Sequence, residues 1–134
     1  MANLGTDVHE AIYRLLKKIE DRLPPNAVFT EKQWEKLESV LGVKVPKRGK
    51  GLDIVVLNRT TKPPILSGVD ITRTAGRAKH VRKGLDDLAA FRAALEPKGW
   101  KVAEELLEPT WRGKTPEAVV DELVGLLNKL AGRS

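Results

Sequence analysis

The chain has 134 residues, of which 41% are apolar and 31% are charged, with a formal net charge of +6 and no cysteine. This composition is typical of one globular domain with its own hydrophobic core, and the lack of cysteine excludes disulfides and thiolate metal sites. No apolar run approaches the roughly 18 residues of a membrane span and the N-terminal residues lack the apolar segment of a secretory signal, so we expect no membrane partner and a cytoplasmic site of action.

The first half of the chain predicts two helices followed by a hairpin of two strands. Apolar residues at helical spacing predict a helix from Thr6 to about Leu23. The capping box Thr30-Glu31-Lys32-Gln33 begins a second helix, and Gly42 is a typical residue to end it. The apolar run from Leu52 to Leu57 and the segment Ile65 to Thr72 predict two buried strands joined by a turn.

The second half predicts a helix, a strand and a last helix. The helix covers Ala78 to Leu95, and a strand covers Trp100 to Leu107. Thr115 is a good cap for a helix of residues 115–131, with proline at its first position. In the loop before it, Trp111 is open to two interpretations, stacking on a base or covering the edge of the core. The element order predicts a single domain of the α/β or α+β class.

Positive charge is concentrated between Lys44 and Lys83. This segment contains eleven lysines and arginines against two acids, a net charge of +9, while the rest of the chain has a net charge of −3. Such a concentration attracts phosphates and gains affinity by releasing counterions, so it favours nucleic acid as the partner over a solvated basic face without one. The predicted nucleic-acid contacts are Lys47, Arg48, Lys50, Arg73, Arg77, Lys79 and Arg82.

The two acids of this basic segment, Asp53 and Asp70, both lie in the apolar strands. Aspartate is disfavoured in strands and costly to bury without a partner. If the two side chains converge, they form an oxygen site for a divalent cation such as Mg²⁺. Alternatively, each aspartate pairs with an arginine or faces water at a strand end.

The segments Gly51-Leu52-Asp53-Ile54-Val55-Val56 and Gly68-Val69-Asp70-Ile71-Thr72 resemble the core of the PD-(D/E)xK nuclease superfamily. Restriction endonucleases, Holliday junction resolvases and bacterial toxin nuclease domains belong to it. The resemblance covers roughly residues 5–107 and leaves the last helix as an addition. It implies a restriction endonuclease-like core, in which a central mixed sheet with a β-hairpin is flanked by helices.

Carried over by residue, the resemblance makes Asp53 and Asp70 the ligands of Mg²⁺ or Mn²⁺. Thr72 stands where the family has a lysine, and its hydroxyl can orient a water but supplies no positive charge. Some family members take the lysine from the following helix, where Lys79 and Lys83 are the candidates.

The entry helix of the family carries a glycine and then a glutamate or histidine near the site. Gly5 and His9 fit this pattern, and helical geometry places His9 and Glu20 along one edge of the apolar stripe. Both are therefore candidate accessory residues of the site. The alternative for His9 is a local hydrogen bond near the start of the helix.

The sequence supports three hypotheses of function. The first is a metal-dependent endonuclease that hydrolyses phosphodiester bonds in DNA or RNA, including the toxin type. The second is a nucleic-acid-binding module with a nuclease-like fold and no catalysis, which Thr72 favours. The third is a protein-interaction domain whose basic face meets an acidic partner, such as an immunity protein. Members of the family act as monomers or as homodimers, and both states remain open.

Overall fold

The computed structural model describes the backbone of residues 4–45, 52–73 and 78–132 and the side chains of residues 8–45, 52–73 and 82–132. The longer helices and the strands within these ranges are α1 (Leu4–Lys18), β1 (Val28–Thr30), α2 (Trp34–Leu41), β2 (Ile54–Asn58), β3 (Ile65–Val69), α3 (Ala78–Leu95), β4 (Lys101–Leu107) and α4 (Pro116–Leu130). None of the helices in these ranges is long and apolar enough to cross a membrane.

The strands form one mixed sheet in the order β1-β2-β3-β4. β1 pairs with β2 and β2 with β3 in antiparallel orientation, whereas β4 runs parallel to β3. The connection from β3 to β4 passes through α3, as a parallel pair requires. The protein is therefore an α+β domain with a central mixed sheet and a β-hairpin, as the sequence predicts at this level.

Helices cover both faces of the sheet, and alternate residues of each strand point to opposite faces. On one face, side chains of α1 and α4 pack with β2 and β3: Ile12, Leu16, Val119, Leu123, Leu127, Ile54, Val56, Val69 and Ile71. On the other face, side chains of α2 and α3 pack with β2, β3 and β4: Leu37, Leu41, Leu88, Phe91, Leu95, Val55, Leu57, Leu66 and Val102. The last helix is thus part of one core layer.

Most predicted elements are present; the structure adds the short strand β1, and the other differences lie at the ends of elements. α3 has the predicted bounds, and the capping box at Thr30 is formed, with the Thr30 amide donating to the Gln33 side chain. α1 ends at Lys18 because a 3₁₀ turn follows at Glu20–Arg22, and this turn still buries Leu23. β3 ends at Val69, short of the predicted end, because the Ile71 amide donates to a side chain instead of to a neighbouring strand.

Candidate functional site

Asp53 and Asp70 meet at one end of the sheet. Ile54 lies opposite Val69 in the antiparallel ladder, so the next pair outward is Asp53 and Asp70. The backbone holds both positions, since the Asp53 amide donates to Val69 at 3.1 Å and the Asp70 amide donates to Leu107 at 2.9 Å. Both residues are buried, with exposures of 7% and 5%. The structure therefore brings together the two acids that the sequence singles out.

The Asp53 carboxylate is held by two donors. The Tyr13 hydroxyl of α1 donates to its Oδ1 at 3.2 Å, and the Ile71 amide donates to its Oδ2 at 2.7 Å. Leu52 and Val55 pack in the same core layer, so the strand alternation breaks at the bend at Asp53. This bend turns the carboxylate toward α1 and across the end of β3.

Asp70 sits among other acids. Burial raises the pKa of its carboxyl to about 9, and a hydrogen bond shared with Asp53 and the negative charges of Asp53, Glu108 and Asp87 act in the same direction. Burial and the charge of Asp53 also raise the pKa of Tyr13, which keeps its hydroxyl a proton donor. Within the described side chains, neither Asp53 nor Asp70 forms an ion pair with a basic residue.

Two further polar groups at this end of the sheet have no hydrogen-bond partner among the residues that the structure describes. The Thr72 hydroxyl is buried in a residue that is 6% exposed, and the Glu108 Oε2 atom is buried in a half-exposed residue. Carboxylate and hydroxyl oxygens are the ligand atoms that a hard divalent cation prefers. The oxygen atoms present here are therefore of the chemical type that Mg²⁺ or Mn²⁺ prefers.

Of the two predicted accessory residues, only His9 contacts this end of the sheet. The His9 Nε2 atom lies 2.8 Å from the carbonyl oxygen of Ile71, so Nε2 carries the proton and donates it. Glu20 lies about three helical turns later in the chain, exposed, beside a groove of about 350 Å³ between α1 and β1. Tyr13 also lines this groove, which makes it the link between the groove and Asp53.

The structure locates part of the predicted basic contact set. Lys47, Arg48, Lys50 and Arg77 lie outside the described residues, and for Lys79 only the backbone, in the first turn of α3, is described. Arg73, Arg82 and Lys83 are exposed. Lys83 precedes the buried Asp87 by one helical turn, and Asp87 is one of the acids whose charge acts on Asp70.

The segment after β4 adds a basic residue that the sequence did not assign to the site. Residues 109–112 run beside residues 72–73: the Trp111 amide donates to Thr72 at 2.9 Å, and the Arg112 amide donates to Arg73 at 3.3 Å. This hydrogen bond places Arg112 beside Arg73, and both residues are exposed. Trp111 itself packs against the core, so of its two interpretations the structure favours core cover.

Among the residues whose side chains the structure describes, no three histidine, aspartate or glutamate side chains are already arranged as a cation site.

Comparison with family models, with curated proteins and with solved structures finds no match to this chain. A function for this protein therefore has to be inferred from the geometry and charge of the site itself.

Proposed function

We propose that this protein is a metal-dependent nuclease that hydrolyses phosphodiester bonds in DNA or RNA and has a restriction endonuclease-like core. The observation that carries the proposal is the pair of buried carboxylates, Asp53 and Asp70, placed opposite each other at a sheet end inside a strongly basic segment. Two buried carboxyl groups this close either share a proton, as the raised pKa of Asp70 indicates, or bind a cation together.

The protein groups would act on a bound nucleic acid as follows. Asp70 and Asp53 would hold Mg²⁺ or Mn²⁺, which polarises the scissile phosphate and lowers the pKa of a water. Tyr13 and the Ile71 amide orient Asp53 through the hydrogen bonds already formed, and His9 holds the Ile71 carbonyl. Thr72 occupies the position of the family lysine and can orient the attacking water.

The positive charge missing at Thr72 would come from α3. Lys83 is exposed and lies one turn from the buried Asp87, so its long side chain can reach toward the acids from the solvent side. Lys79 lies one turn earlier on the same helix and is the second candidate. Either ammonium group would stabilise the charge that develops on the phosphate in the transition state.

Substrate binding would rely on arginines around the acids. Arg73 and Arg112 are exposed neighbours beside Thr72, and Arg82 is exposed on α3. Arginine binds phosphate through two parallel hydrogen bonds, which positions the backbone of a nucleic acid without reading its sequence. These contacts support the binding step independently of catalysis.

The alternative is a nucleic-acid-binding module that does not cut. The observation in its favour is that Thr72, buried and uncharged, occupies the position of the family lysine. Under this alternative the basic groups bind phosphate and the acids play no chemical role.

A cleavage assay separates the two functions. Purified protein is incubated with plasmid DNA and with total tRNA, with Mg²⁺, with Mn²⁺ or with EDTA. We expect metal-dependent cleavage that is lost in Asp70→Asn and retained in the matched control Asp86→Asn, because Asp86 is exposed on α3. Salt-dependent binding without cleavage of either substrate would identify the binding module and refute the nuclease.

A further inference from the structure

Asp70, Thr72 and Glu108 face the same side of the sheet. Leu66 on β3 and Leu106 on β4 both pack toward α3. Side chains two residues apart along a strand share a face, so Asp70, Thr72 and Glu108 continue these two rows past the strand ends. Val69 pairs with Leu107, which places Glu108 next to Asp70 across the parallel ladder.

The polar side chains at this end of the sheet differ in their hydrogen bonding. Both oxygens of Asp53 already accept hydrogen bonds, one from Tyr13 and one from Ile71. The Glu108 Oε2 atom and the Thr72 hydroxyl are buried, and neither forms a hydrogen bond within the described part of the chain. Buried polar atoms without partners are rare in folded proteins because each has lost its hydration, and binding an ion compensates for that loss.

We propose that Glu108 is a third carboxylate ligand of the cation bound by Asp70 and that the Thr72 hydroxyl contacts the same ion or its water. This inference rests on the proposed function and deepens it by adding a ligand from the end of β4 that the family resemblance does not supply. Glutamate has several side-chain torsions, so Glu108 can swing toward Asp70 once a cation offsets the repulsion between the carboxylates.

Isothermal titration calorimetry with Mn²⁺ tests whether Glu108 is a ligand, without any substrate. We compare wild type, Asp70→Asn, Glu108→Gln and the control Glu105→Gln, since Glu105 is an exposed residue of the same strand. We expect Glu108→Gln to weaken Mn²⁺ binding by at least about tenfold, Glu105→Gln to leave it unchanged, and Asp70→Asn to abolish it. Thermal unfolding in EDTA checks the fold, and Glu108→Gln should unfold no earlier than wild type because it removes a like charge.

The outcomes separate this inference from the proposed function. Equal Mn²⁺ affinity of Glu108→Gln and wild type, with binding lost in Asp70→Asn, overturns the role of Glu108 and leaves the nuclease proposal standing. Loss of Mn²⁺ binding in Glu108→Gln together with no cleavage by wild type supports the cation site and overturns the nuclease proposal. A wild-type protein that binds no Mn²⁺ overturns both.

Discussion

Asparagine at position 70 removes an ionisable group that the fold holds in its protonated form. The pKa of Asp70 is about 9 in the folded protein, against an ordinary value of 3.8, chiefly because the carboxyl is buried and secondarily because Asp53 lies beside it. The folded pKa is the higher one, so the stabilising effect of this proton is complete below pH 3.8 and is lost as the pH rises to about 9. Wild-type unfolding releases this proton and becomes easier as the pH rises.

The magnitude is set by the one proton that is released on unfolding. The free energy of unfolding of wild type should fall by up to about 1.4 kcal/mol per pH unit within this window, or about 4 kcal/mol at most between about pH 5 and pH 8. Asp70→Asn keeps the shape of the side chain and can donate its amide to Asp53, but it does not titrate. Its stability relative to wild type should therefore rise steadily with pH.

Urea unfolding followed by circular dichroism measures this difference in EDTA at several pH values. Asp86→Asn is the matched control, because Asp86 is exposed on α3 and should track wild type at every pH. A stability difference between Asp70→Asn and wild type that does not change with pH would refute a raised pKa at Asp70.

The same structure makes three other predictions. Mn²⁺ should raise the Tm of wild type more at pH 8 than at pH 6, because Asp70 must lose its proton to bind the ion, and scanning fluorimetry measures this. Gly125→Ala should raise the free energy of unfolding by up to about 1 kcal/mol, since the added methyl meets nothing within 4 Å. Gly84→Ala should not raise it, because its methyl would lie 2.5 Å from Leu106, and urea unfolding of the two variants measures the difference. Arg73→Ala should lower the slope of log affinity against log salt by about 1 in anisotropy titrations with a short duplex, and an unchanged slope would remove Arg73 from the interface.

The elements of the fold follow closely from local sequence signals. Helix α3 has the bounds that its apolar spacing predicts, and α2 is preceded by the capping box seen at Thr30. The strand ends are less predictable. β3 ends where the Ile71 amide donates to the side chain of Asp53, a residue distant in the chain. A local pattern contains no information about that hydrogen bond.

The sequence predicts only part of the candidate site. Asp53 and Asp70 stand out in the sequence because aspartate is rare in apolar strands, and the pairing of the hairpin then brings them together. Glu108 and Tyr13 carry no comparable signal: Glu108 follows a strand with other glutamates, and Tyr13 lies within an ordinary amphipathic helix. The edge of the apolar stripe also singles out His9, and its hydrogen bond to Ile71 shows that it reaches this end of the sheet, while its role there stays a prediction.

The sequence by itself determined the helices, the hairpin, the concentration of positive charge and the two unusual aspartates, because periodicity, caps and composition are local properties. Only the tertiary structure decided that Glu108 stands beside Asp70, that Tyr13 holds Asp53, and that Arg112 lies beside Arg73. These contacts depend on the parallel pairing of β4 with β3 and on the docking of α1 at the sheet end. Both arise from burial of apolar surface between distant segments, which leaves no mark on the polar residues that the packing brings together.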